Sequence, residues 1–341
     1  MFLKLNLSHG VDSLSLKPIF PTNFISPIQM NYAFFELFMQ ANAVADNDFN
    51  KLFIPFRSIA SDIYKKEAVV FRKGDLSNAV RASMTFPFVF RPIEVDGRLL
   101  FDGGIFNNFP VDIMKKDFNP EFMIGSVVAS AHDRPSVDDV YGQLQTMIMN
   151  ETNYSIPQDE GILFTFDMHD QPLFDFSKVD ELVEIGYKGT LQRIDEIKKR
   201  VSHRVSSQEM ADKRKEFYAK FPDPVFRKIT INGIDSLQKS YVSRVFSHKK
   251  DTFGLKKIKD AYYELVSDDK IAEIIPHSSY DKKTGYFDLR LDVRTKEHLK
   301  TSDRRQHFFQ PVESSLCRVT ISEFGKIRSN LSIRYAVWEN I

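Results

Sequence analysis

The chain has 341 residues, 42% of them hydrophobic, which is enough for about two or three domains with buried cores. Its 47 basic and 46 acidic residues leave a formal net charge of +1, so charge predicts no nucleic-acid partner and no general attraction to an anionic surface. The single cysteine, Cys317, excludes an internal disulfide framework and a cysteine-based zinc site. We find neither a signal-peptide core after Met1 nor a window near the roughly 20 apolar residues of a membrane-spanning helix.

The first predicted element is a helix that begins at Ser26-Pro27 and ends near Ala45, after an irregular segment over residues 1–25. Apolar residues at three- and four-residue spacings form its stripe: Met30, Phe34, Leu37, Phe38 and Ala41. This pattern predicts a face packed on a core. The alternative is a protein that uses this face to contact a membrane surface.

Two strands, over residues 52–59 and 68–71, come next. Gly74-Asp75 then opens a helix that Pro87 closes, and Asp75 is placed to cap its first amides. The pair Asp96-Gly97 predicts a hairpin turn between IEV and RLLF, so that the second strand of the hairpin ends at Asp102.

Strands and helices continue to alternate up to a predicted boundary at Pro222-Asp223-Pro224. The expected elements are a short helix after Pro110, a strand over 122–128, a helix over 137–150, a strand over 161–166 and a helical segment over 179–221. Residues 1–222 are therefore predicted to form an α/β domain with a parallel or mixed sheet.

A second unit follows, over residues 223–296, in the order strand, helix, helix, strand, strand. Its elements are expected at residues 225–231, 236–246, 255–266, 271–280 and 286–293. This order predicts a small α+β domain. The tail, residues 297–341, is left unassigned, with an alternating strand at 331–338.

The Asp102-Gly103-Gly104 tripeptide is the strongest candidate for a catalytic site. A carboxylate at a strand terminus beside two small residues has room for a substrate and a nucleophile, and it can act as a general base. A purely structural turn, in which the aspartate binds nearby amides, is the alternative.

The stretch from Phe49 to Asp112 resembles the second half of the patatin-like phospholipase domain. The resemblance rests on the segment ASMTFP, on Asp102-Gly103-Gly104, and on the Asn-x-Pro continuation in Asn107, Asn108 and Pro110. It implies a three-layer α/β/α fold and a lipid acyl hydrolase without a cofactor. In that family a serine in Gly-x-Ser-x-Gly attacks an acyl ester and an aspartate takes its proton; the aspartate corresponds to Asp102.

The serine half of this pair is not found, because no two of the 14 glycines lie four apart around a serine. We therefore expect an incomplete catalytic domain, from a truncated or mispredicted product of a longer gene, that does not hydrolyse esters alone. Ser83 lacks glycine neighbours and is interpreted as structural. His132 and His169 as triad members, and Asp167 to Asp170 as metal ligands, are weak alternatives, so no metal is predicted.

Residues 225–295 resemble a POTRA domain, the periplasmic module that precedes outer-membrane barrels, with Ile231-Asn232-Gly233 as the best local cue. The patatin-like resemblance implies membrane lipids as substrate. The POTRA resemblance implies as partner either an outer-membrane barrel, whose start would lie in 297–341, or an extended peptide strand added to a sheet edge. The competing hypothesis is a non-catalytic binding or assembly module. An outer-membrane or periplasmic location is implied, or a cytoplasmic one if the chain is complete as written.

Overall fold

The computed structural model describes residues 4–8, 15–19, 25–128, 136–138, 140–166, 177–246, 252–268 and 270–296. All of these belong to one compact unit, Met1–Glu297. The tail, His132, His169 and the segment from Asp167 to Asp170 lie outside the described residues, so the predictions made for them stay predictions. None of the described helices is both long enough and apolar enough to cross a membrane.

The first 25 residues were predicted to be irregular, and this prediction is wrong. Strands β1 (Lys4–Ser8) and β2 (Ser15–Ile19) form an antiparallel pair. Pro18 lies within β2 opposite Leu5. A ribbon of two strands tolerates a proline because each strand has an edge that needs no ladder hydrogen bond.

Helix α1 (Ile28–Val44) confirms the predicted helix, but its most buried face is different. The apolar residues of that face are Ile28, Tyr32, Phe35 and Met39. In the predicted stripe, Leu37 is 66% exposed, whereas the half-buried Phe38 packs beside Phe49 and Leu76. Because α1 contacts neighbours on two sides, its apolar residues do not define a single stripe.

The next elements form an antiparallel sheet of four strands with the order β4-β3-β6-β5. They are β3 (Ser58–Asp62), β4 (Glu67–Phe71), helix α2 (Leu76–Ser83), β5 (Ile93–Val95) and β6 (Arg98–Asp102). The predicted cap is confirmed, since the carboxylate of Asp75 accepts a hydrogen bond from the Ser77 amide at 2.9 Å. Strand β3 begins six residues later than predicted, after Pro55, which has no amide hydrogen for a ladder.

The hairpin of β5 and β6 confirms the turn predicted at Asp96-Gly97. Both residues have positive φ, at 51° and 71°, which is the conformation that favours Asp-Gly in a two-residue turn. Strand β6 ends at Asp102, as expected.

Further along the chain the strands pair in a separate, parallel two-stranded sheet. The elements are α3 (Val111–Phe118), β7 (Met123–Val127), α4 (Val140–Ile148), β8 (Gly161–Thr165), α5 (Val179–Leu191), α6 (Ile194–Arg200) and α7 (Ser207–Tyr218). The described part of the chain is thus a mixed α/β structure with several small sheets. The three-layer α/β/α arrangement stays a prediction.

The last described elements form a module, residues 225–295, in the predicted order strand, helix, helix, strand, strand. They are β9 (Val225–Asn232), α8 (Ser236–Val245), a two-residue β10 (Phe253–Gly254), α9 (Leu255–Val266), β11 (Ile271–Asp281) and β12 (Tyr286–Thr295). The sheet order is β10-β9-β12-β11, with β9 parallel to β12 and β11 antiparallel to it.

Helix α1 shares the hydrophobic core of this module. Its buried face belongs to the same cluster as Phe226, Tyr262 and Leu289. The hydroxyl of Tyr262 lies 2.7 Å from the carbonyl oxygen of Ile28 and 3.0 Å from that of Ile274, so it connects α9, α1 and β11. The domain boundary at residues 222–224 stays a prediction.

Candidate active site around Asp102

Asp102 is fixed by its neighbours on both sides of the backbone. It pairs with Ala60 in the ladder between β6 and β3, and its amide donates a hydrogen bond to the carbonyl oxygen of Thr85 at 2.9 Å. Thr85 is itself fully buried and its hydroxyl donates to the carbonyl oxygen of Arg81 at 2.8 Å. The strand end is therefore held against the segment that follows α2.

The Asp102 carboxylate caps a 3-10 turn formed by Gly103, Gly104 and Ile105. Its Oδ1 accepts a hydrogen bond from the Gly104 amide at 2.7 Å. Burial raises the pKa of this carboxyl group, and the Gly104 hydrogen bond opposes the rise only in part. A carboxylate with a raised pKa is a stronger base than an ordinary aspartate, which suits the removal of a proton from a hydroxyl.

Close packing requires glycine at position 103 and leaves little room for a side chain at position 104. A Cβ on Gly103 would lie 2.4 Å from the carbonyl oxygen of Ile59, a backbone atom of the neighbouring strand. A Cβ on Gly104 would lie 2.7 Å from Oδ1 of Asn108 and 3.1 Å from Oδ1 of Asp102. The absence of side chains at these two positions keeps the backbone close to the carboxylate.

The residues predicted to support the motif connect the turn to α3 and to the segment after α4. The Asn107 amide donates to the carbonyl oxygen of Gly103 at 2.9 Å, and its side chain donates to Asp112 at 2.9 Å. The Asn108 side chain donates to the hydroxyl of Tyr154 at 2.6 Å. Pro110 is the residue immediately before α3.

Tyr154 and Thr85 were not singled out from the sequence as neighbours of the site. Tyr154 lies outside the helices and strands, where no periodicity marks it, and its ring packs 5.8 Å from that of Phe109. Thr85 contributes through its backbone carbonyl, which any residue has. A contact made by a backbone atom cannot be predicted from the type of side chain at that position.

No serine among the described residues donates a hydrogen bond to the Asp102 carboxylate, whose one hydrogen-bond partner there is Gly104. Ser61 comes near, but it is fully buried and its hydroxyl lies 3.4 Å from the carbonyl oxygen of Gly103. Ser83 is in α2, as predicted. The residues described also contain no cluster of three histidine, cysteine or acidic side chains with the geometry of a metal site.

Comparison with known proteins finds a similarity for this part of the chain. Residues 13–115 match the family model described as patatin-like phospholipase. This segment is similar to patatin-like phospholipases. The matched segment, here called the patatin-like region, contains Asp102, Gly103, Gly104, Asn107, Asn108 and Pro110.

Curated relatives resemble the chain over short segments. An NTE family protein of Mycobacterium tuberculosis is 47% identical over 58 residues, which is 17% of this chain and 16% of the relative. A second NTE family protein of that organism is 28% identical over 119 residues, 33% of this chain and 20% of the relative. A mouse patatin-like phospholipase domain-containing protein is 38% identical over 72 residues, 20% of this chain and 5% of the relative. The chain thus spans a small fraction of the relatives it matches.

Proposed function

We propose that the patatin-like region is one half of the active site of an acyl-ester hydrolase that acts on membrane phospholipids. In this proposal Asp102 is the general base, and the nucleophilic serine comes from polypeptide outside residues 1–341. The position of Asp102 carries the proposal: its carboxylate stands at the end of β6, half-buried, with Gly104 as its hydrogen-bond partner. The similarity to patatin-like and NTE family proteins supports the choice of substrate class.

The chemistry requires a base because a serine hydroxyl is a weak nucleophile until its proton is removed during attack. The Gly104 amide fixes one oxygen of Asp102 in place, which leaves the second oxygen to accept that proton. Burial favours the transfer, since it raises the pKa of the carboxyl group. A well-placed base of this kind typically contributes about 10²- to 10⁴-fold in rate.

The first test is turnover of a p-nitrophenyl acyl ester by the purified 341-residue chain, together with labelling by a fluorophosphonate probe. We expect neither, because the chain contains no Gly-x-Ser-x-Gly segment. Turnover that Asp102→Asn abolishes would contradict the proposal that the serine lies elsewhere.

The second test supplies the serine. When the chain is co-expressed with a patatin-like fragment that carries Gly-x-Ser-x-Gly, we expect ester hydrolysis that Asp102→Asn reduces by about 10²-fold or more. Asp96→Asn is the matched control, since it removes a carboxylate from the turn of the same hairpin and asparagine tolerates the positive φ found there. Equal activity of the two variants would rule out Asp102 as the base.

We also infer that residues 223–296 form a POTRA-like domain. The order of β9, α8, α9, β11 and β12 supports this inference, as does a sheet in which β9 lies parallel to β12. An outer-membrane or periplasmic location, and a barrel or an extended peptide as partner, are part of the same proposal. The alternative, a non-catalytic assembly module, predicts two results together. The full chain would bind an extended peptide and protect amides of β11 from exchange, and the co-expression test would give no hydrolysis.

A further inference from the structure

His277 on β11 lies between two carboxylates that belong to different parts of the chain. Its Nδ1 is 3.1 Å from Oδ2 of Asp75, the residue that caps α2, and its Nε2 is 2.9 Å from Oδ2 of Asp292 on β12. The imidazole is only 9% exposed. The patatin-like region and the module therefore meet at a buried histidine.

The number of protons on the ring decides how many of these contacts form. An imidazolium ion has two N–H groups and can donate to Asp75 and Asp292 at once. A neutral imidazole has one N–H group, so one ring nitrogen must then act as an acceptor. Nδ1 has a donor available for that state, because the side-chain amide nitrogen of Asn78 lies 3.2 Å away.

We propose that His277 is a pH-sensitive latch between helix α2 and the β11–β12 hairpin. When the ring is protonated, it binds Asp75 and Asp292 together. When the ring is neutral, it keeps its hydrogen bond to Asp292, accepts one from Asn78 and releases Asp75. The latch concerns the coupling of the two parts of the chain and does not depend on the hydrolase proposal.

Two further contacts, both with residues of the module, orient the Asp292 carboxylate. The side-chain amide of Asn232 on β9 donates to its Oδ1 at 3.0 Å, and Nε of Arg290 lies 3.5 Å from its Oδ2. The charge of Arg290 opposes protonation of His277. Asp75 and Asp292 both favour it, so negative charge prevails around the ring.

The charged residues of α1 and α2, and Glu273 on β11, make their contacts with groups other than His277. Glu36, the one charged residue of α1, pairs with Lys259 at 3.1 Å. Arg81, the one charged residue of α2, donates to Asn31 at 3.1 Å and to Thr85. Glu273 on β11 itself lies between Arg91 and Arg294. The protonation of His277 is thus controlled by Asp75, Asp292 and Arg290.

The pKa shifts agree with this geometry. Burial alone would lower the pKa of His277, but the hydrogen bonds to Asp292 and Asp75 outweigh it and the pKa is raised. Burial likewise opposes ionisation of Asp292, yet the hydrogen bonds from His277 and Asn232 lower its pKa. The stability due to His277 is therefore complete below the ordinary histidine pKa of about 6.5 and is lost as the pH rises through the raised value.

The latch is tested on the full chain by following the ring carbon signal of His277 by NMR while the pH is raised from 5 to 9. The signal is assigned as the one missing from His277→Gln. We expect a pKa above the ordinary histidine value, which both Asp75→Asn and Asp292→Asn lower. Asp75→Asn is informative because asparagine caps a helix about as well as aspartate and thus preserves α2.

Urea unfolding supplies the second measurement. Relative to His277→Gln, the folding equilibrium constant of the unaltered chain should fall as the pH is raised from 5.5 to 9. His203→Gln, which changes an exposed histidine, is the matched control and should not reproduce the effect of His277→Gln. If His277→Gln does not fold, the titrations of the unaltered chain and of Asp75→Asn decide the question. A His277 pKa at or below the ordinary value, or a titration that Asp75→Asn does not change, would overturn the latch.

Discussion

At the scale of single residues, Gly103 is the position at which the site tolerates least change. The atom that a new Cβ would meet at 2.4 Å is a carbonyl oxygen of β3, which cannot rotate away as the end of a long side chain can. Any substitution at Gly103 must therefore move β6 relative to β3. Asp102 is adjacent to Gly103 and pairs with β3, so it would move as well.

Gly103→Ala is accordingly expected to destabilise the chain by about 1–3 kcal/mol, the usual range for overpacking in a well-packed site. The measurement is the free energy of unfolding in urea. Gly186→Ala is the control, since nothing lies within 4 Å of a Cβ at that position in α5. Alanine in place of glycine in a helix interior should stabilise the folded chain by roughly 0.5–1 kcal/mol. If both substitutions changed the free energy of unfolding by similar amounts, the backbone at Gly103 would be able to accommodate a Cβ without loss of stability.

The candidate site was partly predictable from the sequence because short-range rules control it. The turn at Asp96-Gly97 sets the register of the hairpin and hence the end of β6 at Asp102. Thr85, which contacts Asp102, and Tyr154, which contacts Asn108, obey no such rule. They were brought to the site by packing, which a single sequence does not specify.

At the scale of elements, α1 shows how a correct helix prediction can select the wrong face. The residues of α1 are apolar on several sides, so two stripes fit the helical period equally well. The choice between them depends on Tyr262, Phe226 and Ile274, which lie more than 180 residues away in the sequence. The order of helices and strands along the module was easier to predict, since helices and strands repeat their apolar residues at different spacings.

Because one face of α1 is buried and another is exposed, two substitutions close together in α1 should change the free energy of unfolding by very different amounts. Phe35→Ala removes a ring that is 1% exposed in the module core and should cost about 3–5 kcal/mol. Leu37→Ala, at a side chain that is 66% exposed, should change stability by less than about 0.5 kcal/mol. Urea unfolding checks both values. A larger loss of stability for Leu37→Ala than for Phe35→Ala would show that the stripe predicted from the sequence is the buried face.

At the scale of the whole molecule, the module depends on residues that precede it by about half the chain. Residues 223–296 expressed alone would expose the core surface that α1 covers, so we expect them to unfold at a lower temperature than the full chain or to remain unfolded. Circular dichroism on heating measures this. A synthetic peptide of residues 25–47 should raise the melting temperature of the fragment, whereas the same peptide with Tyr32→Glu and Phe35→Glu should not. A fragment as stable as the full chain would show that α1 is dispensable.

The shared core also sets an order of events during synthesis on the ribosome. Ile28 is joined to Tyr262 across 234 residues of sequence, and synthesis proceeds at about 5–20 residues per second. Helix α1 therefore emerges roughly 10 to 50 seconds before the strands that cover it. During that interval the residues that cover Tyr32, Phe35 and Met39 in the folded chain have not yet been made. The nascent chain thus presents an apolar helix to chaperones until the last quarter of the described residues has been made.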